Sequence, residues 1–179
     1  MRCMRAKRIK GMKILDNNGV QIGKVSDLGI DCDEFKIKNI LISTGGFFSK
    51  KYFTVYIEQI GKIDSYLHLK SSKVNQPHAV SFNELERDVP EDYFFKNFQY
   101  RVVKTNEEPV LGLIKDIIFD LKNDLTFDVV IEKLVGGPLG KPSFTASLED
   151  FSNVDVLMTL KLDKNEIKKR LKLNKHKMF

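Results

Sequence analysis

The chain is written twice. Residues 20–31, VQIGKVSDLGID, lie over residues 109–120, PVLGLIKDIIFD, with Gly112 standing 89 positions after Gly23. At that spacing Ile22 meets Leu111, Val25 meets Ile114, Asp27 meets Asp116 and Leu28 meets Ile117, while Ile40 and Ile42 meet Val129 and Ile131. Beyond a two-residue insertion the spacing becomes 91, and FFSKKYFTVYIEQI (47–60) returns as PLGKPSFTASLEDF (138–151), with Lys50, Phe53, Thr54 and Glu58 over Lys141, Phe144, Thr145 and Glu149. A pair of copies makes two small domains in tandem and not a solenoid, which needs more copies to bury its faces.

Each copy is β-patterned. Phe127, Val129 and Ile131 alternate, and β-branched and aromatic residues cluster between turn signals such as DNNG at 16–19 and KND at 122–124. Short strands at short spacing predict an all-β fold with minor α, as two small antiparallel barrels. Within the long strand the apolar period slips, from Ile22 to Val25 to Leu28 in steps of three, with Gly23 beside the first slip and Gly112 at the same place in the second copy. A glycine where a strand changes phase marks a bulge or sharp bend, reached through φ values that a Cβ resists, so Gly23 and Gly112 are assigned as structural.

Between the copies, SFNELERDVPEDYFFKNFQ (81–99) breaks the alternation. Ser81 with Glu84 forms a capping box, and Pro90 before two acids opens a second short helix. Phe82, Tyr93, Phe94, Phe95 and Phe98 are too many aromatics for a slack linker, so the connector packs on one or both barrels. At the far end Asp163 and Glu166 cap a helix with Ile167 and Leu171 on one face and lysines on the other.

The run IKGMKILDNNGVQIGKVSDLGIDCDEFKIKNILIS resembles the PRC-barrel family, with Gly11, Asp16, Gly19, Gly23, Lys24, Val25, Asp27 and Asp31 at the family's positions. Residues 9–70 follow the pattern well and residues 99–162 more loosely, with EEP (107–109) replacing the first Asn-Gly turn. The resemblance implies a first barrel over 8–71, a partly helical connector over 72–98, a second barrel over 99–162 and a basic helix or tail over 163–179. It is closest to stand-alone archaeal members, some of which are cell-division adaptors. Other members occur in a photosynthetic reaction-centre subunit and in a bacterial ribosome-maturation factor. The family's common thread is docking to another macromolecule, which implies a non-catalytic adaptor with a protein partner. The alternative is an RNA-processing or ribosome-assembly factor.

Charge supplies that alternative. The formal net charge is +6, yet residues 1–13 hold six basic residues and no acid, and residues 164–179 hold seven against Glu166, which leaves residues 14–163 at −6. Basic ends attract a phosphate backbone or an anionic membrane surface. The candidate contacts are Arg2, Arg5, Lys7, Arg8, Lys168, Lys169, Arg170 and Lys172. A second candidate is the loop TGGFFSKK (44–51), where Phe47 and Phe48 with Lys50 and Lys51 read as an exposed anchor or as a plug on the barrel end. The cost of keeping a Phe pair exposed in water favours the plug.

Catalytic chemistry is not expected. His68, His78 and His176 have no ligand at metal-site spacing, so no metal, cofactor or small-molecule substrate is anticipated. GGPLGKP (136–142) lacks the first glycine and the Ser or Thr of a phosphate loop and reads as a turn. Asp31, Asp33 and Glu34 read as turn residues. Cys3 and Cys32 are too few for a disulfide framework, and no stretch approaches the ~18 apolar residues of a membrane helix, so a cytoplasmic location is expected.

Overall fold

The alternating segments form strands, and the two copies form two sheets. The computed structural model describes residues 3–46, 49–72, 79–87, 93–120, 126–134 and 141–175. The first half runs β1 (Met4–Arg5), α1 (Ala6–Ile9), β2 (Lys13–Leu15), β3 (Gln21–Asp31), β4 (Lys36–Thr44), β5 (Lys51–Tyr56), a 3₁₀ turn (Ile57–Gln59), β6 (Ile60–Ile63) and β7 (Leu67–Leu69). Then come α2 (Phe82–Arg87), α3 (Phe95–Phe98), β8 (Val102–Thr105), β9 (Gly112–Phe119), β10 (Phe127–Lys133), β11 (Ser143–Ala146), a 3₁₀ turn (Leu148–Asp150), β12 (Phe151–Asn153), β13 (Leu157–Leu160) and α4 (Lys164–Lys175).

The first sheet is ordered β5-β4-β3-β2-β7-β6 and the second β11-β10-β9-β8-β13-β12, the same path in both copies. Both sheets curl into barrel-like units. Neither is wholly antiparallel, because the closing hairpin returns alongside the opening strand: β7 runs parallel to β2 and β13 parallel to β8.

The slipped apolar period is a bulge. Val25 pairs with Ile42 and Asp27 with Leu41, which leaves Ser26 unopposed, and in the second sheet Lys115 is skipped between Ile114 and Asp116. Ser26 and Lys115 are 89 apart, so the bulge is duplicated too. The glycines nearby have another reason than the expected one. Neither Gly23 nor Gly112 adopts a left-handed φ; a Cβ at Gly23 would lie 2.6 Å from the Ser43 carbonyl oxygen, and one at Gly112 2.4 Å from that of Glu132. Close approach of the neighbouring strand excludes the side chain.

The N-terminal segments cross over. β1 leaves its own sheet and pairs with β9, Met4 opposite Phe119 and Arg5 opposite Ile118. Reciprocally, Phe94 bridges to Gly29, and the Ile30 N–H donates to the Tyr93 carbonyl at 2.7 Å. α1 and α3 are 89 residues apart, and each packs on the long strand of the opposite copy. The aligned aspartates hold this exchange: the Lys7 N–H donates to Asp116 Oδ1 and the Lys96 N–H to Asp27 Oδ2, both at 3.2 Å. Each carboxylate also accepts the next N–H of its own strand, from Leu28 and Ile117. These bonds give Asp27 and Asp116, buried at 3% and 1% exposure, backbone donors in place of water.

The two sheets share one core. Phe35 takes φ of +48°, which bulky residues seldom adopt, and its ring stacks on Phe127 with centroids 5.0 Å apart and an interplanar angle of 8°. Phe98 and Phe151 meet Phe35 edge-on, and a contiguous cluster of buried apolar side chains continues from there into both sheets. Burying Phe95 and Phe98, both fully enclosed, contributes roughly 1.5–3 kcal/mol each.

Candidate interaction site

The outer edges of the two sheets are where the copies part company. On the second sheet α4 closes the edge at β11. Asp163 Oδ1 accepts the N–H groups of Asn165 and Glu166, and Glu166 Oε2 accepts the Asp163 N–H, a complete capping box. Ile167 is buried and Leu171 packs against the core, which turns the Arg170 side chain onto the strand. Its guanidinium donates to Asp150 Oδ2 at 2.6 Å, Asp150 Oδ1 at 2.8 Å and the Thr145 carbonyl at 3.1 Å. Burial works to raise the Asp150 carboxyl, but the bonds from Arg170 and Ser147 prevail and hold it below its ordinary range.

On the first sheet the same edge is half closed. Val80 exchanges two backbone hydrogen bonds with Tyr52, at 2.7 and 2.8 Å, and α2 follows with the Ser81–Glu84 box as expected from the sequence. Past Tyr52 the edge opens into a groove of about 380 Å³ lined by Asn39, Thr54, Tyr56, Val80, Leu85, Tyr93 and Glu84.

Laid over each other, Thr54 corresponds to Thr145, Asn39 to Asp128 and Gln59 to Asp150. The backbone arrangement is kept: the Tyr56 N–H donates to Gln59 Oε1 as the Ser147 N–H donates to Asp150 Oδ2, both at 2.9 Å. The charge is not kept, since two acids have become two amides. Asn39 is 3% exposed, donates Nδ2 to the Tyr93 hydroxyl, and has its Oδ1 buried without a partner. Burial pushes the Tyr93 phenol up, so it stays protonated. Gly29 makes room for this pair, because a Cβ there would collide with Asn39 Oδ1 and the Tyr93 ring.

The residues singled out from sequence fall in different places. Phe47, Phe48 and Arg2 lie outside the described residues, as do positions 136–140 of the glycine turn, the KND turn, and the helix start at Pro90. Lys50 and Lys51 are exposed, with the Lys50 ammonium 5.7 Å from the Tyr52 ring centroid, and Lys50 borders a second cavity of about 480 Å³ with Lys24 and Gly45. Arg5, Lys7 and Arg8 are exposed on β1 and α1, and Lys168, Lys169 and Lys172 on α4, so both groups rest on the second sheet. Arg170 stands apart from them, turned inward as the clasp of α4. Gly23 and Gly112 sit at the duplicated bulge.

Sequence reasoning missed the groove and the clasp. Asn39 and Asp128 stand beside the aligned Ile40 and Val129, so their divergence was in plain view, but nothing local told that they face a sheet edge.

Asp31, Asp33 and Glu34 form a turn, in which Asp31 Oδ1 accepts the N–H groups of the other two and Lys38 Nζ lies 3.1 Å from Asp31 Oδ2. His68 Nε2 lies 3.2 Å from Asp64 Oδ1, and a hydrogen bond from Lys62 helps hold the Asp64 carboxyl well below its ordinary range. Among the described residues no group of three or more His, Cys, Asp or Glu side chains is placed to hold a metal, and no helix is long and apolar enough to cross a membrane.

A curled six-stranded sheet with a bulged long strand defines a small β-barrel class. Residues 1–76, which hold the first copy of the repeat, match the family model described as the PRC-barrel domain. A comparison with curated proteins found no match.

Proposed function

We propose that this chain is a non-catalytic adaptor that joins protein partners through a fused, pseudo-symmetric pair of barrels. The observation that carries the reading is the contrast between the edges: the same strand edge is clasped by α4 in one copy and open in the other. Two similar scaffolds held rigidly by exchanged segments present one binding geometry in two chemical versions, and rigid linkage raises the effective concentration of one bound partner for the other. Resemblance to stand-alone archaeal members extends the reading to a cytoplasmic assembly of the cell-division type. Affinity capture from native lysate tests it, at low and high salt and with nuclease. Defined proteins should be retained through both treatments and after the exposed cations Arg5, Lys7, Arg8, Lys168, Lys169 and Lys172 are replaced by glutamine, which leaves β1, α1 and α4 in place. Robust turnover of a small molecule, abolished by changing one polar side chain, overturns it.

A second reading, contact with RNA or an anionic membrane surface, is favoured by one observation: the exposed cations of α1 and α4 rest on the same sheet. Binding through them falls steeply with salt. Capture of only ribosomal material, lost with nuclease or with the glutamine substitutions of those exposed cations, would put this reading in the adaptor's place.

A further inference from the structure

We propose that the open groove on the first sheet receives an arginine side chain from a helical segment of a partner protein, the intermolecular counterpart of Arg170 on α4. This rests on the adaptor reading and names the chemistry of one partner.

The second copy shows what such an edge holds. Arg170 reaches β11 from a capped helix and bonds the Thr145 carbonyl together with the carboxylate of the 3₁₀ turn. The first copy keeps the receiving frame, with Thr54 in the place of Thr145 and Gln59 in that of Asp150, but its own covering helix is α2, a six-residue segment. The groove's chemistry asks for a donor. Asn39 Oδ1 is buried without a partner, and an unsatisfied buried acceptor is costly. Tyr56 is 59% exposed, and with Tyr93 it offers aromatic surface on which a planar guanidinium can lie, supplying several N–H groups at once. Lys38, which acts on the Tyr93 phenol, is committed to Asp31 and Glu34 and does not fill the role.

The exchange of acids for amides fits an occupant that comes and goes. Asp150 is paired with an arginine of its own chain, so its charge is compensated within the fold. Carboxylates in a groove that stands empty between partners would be partly buried and unpaired, whereas amides tolerate the empty state. Partner binding is therefore weaker than the clasp and reversible.

The experiment uses the full chain, isotope-labelled, and a synthetic peptide with the sequence of residues 162–175 as the probe. The expected result is a perturbation of the Asn39 side-chain amide and of Tyr56, lost when the peptide carries Arg170→Lys and weakened by Tyr56→Ala in the protein. Asn39→Asp, which restores the acid of the second copy, should tighten binding by about tenfold. Tyr56 is exposed, so Tyr56→Ala folds normally and keeps the test decisive if Asn39→Asp does not fold. Equal binding of the lysine peptide, perturbations confined to β11 and α4, or affinity indifferent to Tyr56→Ala overturns the proposal. If lysate partners are retained by Tyr56→Ala, the groove is not their site and the adaptor reading stands on another surface.

Discussion

β3 and β9 carry the same bulge, the same buried aspartate and the same exchanged helix, while the edges two strands away hold different residues in the same frame. What joins the copies has been kept and what faces outward has diverged. The join itself contains one asymmetry. Asp27 has Lys10 at 3.2 Å, with the Lys10 ammonium also 5.7 Å from the Phe95 ring centroid. In the second copy Gln99 stands where Lys10 would be and donates to the Lys115 carbonyl at 2.8 Å, so Asp116 has backbone donors but no such cation, and burial pushes its carboxyl up. Equivalent folds thus leave one buried carboxylate compensated by an ammonium and the other by backbone dipoles and more distant charges.

The strongest way to break the comparison is to remove its hinge. Phe98→Ala should cost about 3–5 kcal/mol, because Phe98 is fully buried and touches Phe35 and Phe127 across the two copies. Urea unfolding of the parent chain should be one transition, since the core is shared; two separated transitions in the variant would show that the copies then melt independently.

Gly112→Ala should cost about 1–3 kcal/mol, and Gly23→Ala somewhat less. All three nearest atoms at Gly112 are backbone atoms of Glu132 and Lys133, whereas one of those at Gly23 is the Ile42 side chain, which can shift. Equal midpoints in urea would show that the two bulges yield alike.

Arg170→Ala should loosen α4 by about 1 kcal/mol, modest because its side chain is 35% exposed and the pair is screened. The Asp150 carboxyl is held below its ordinary 3.8 in the folded chain, so its contribution is present above that value and lost as pH falls through the lower folded value. Arg170→Ala should therefore flatten the acid limb of the stability profile, and hydrogen exchange across α4 should rise first.

Asp116→Asn is the smallest and sharpest test. Its carboxyl is raised above 3.8, so the folded state favours the protonated form; stability present below 3.8 is lost as pH rises through the folded value. Asparagine removes that loss, so the variant should match or slightly exceed the parent near neutral pH, while Asp27→Asn, which deprives Lys10 of its partner, should fall below it. Denaturation of both variants from pH 4 to 7 reads the difference.

Much of this was legible in the residues. The bulge showed as a slipped apolar period at Ile22, Val25 and Leu28, and both capping boxes, Ser81 with Glu84 and Asp163 with Glu166, stood in the sequence as Ser or Asp three residues before Glu. The reason for Gly23 and Gly112 was not legible, because a glycine needed for φ and one needed for space look alike until the neighbouring strand is placed. The open groove was equally hidden, since Asn39, Tyr56 and Tyr93 belong to segments that have no local reason to meet.

By itself the sequence determined that there are two copies, that they are β, and where their strands bend and their helices are capped, because these depend on contacts within an element or between neighbours in the chain. Only the tertiary structure decided that α1 and α3 change sides and that one edge is clasped while the other is open. A duplicated sequence offers every segment two nearly equivalent partners, and local pattern cannot choose between them. The choice is made by long-range geometry, where Phe35 and Phe127 stack across the join and Arg170 reaches Asp150.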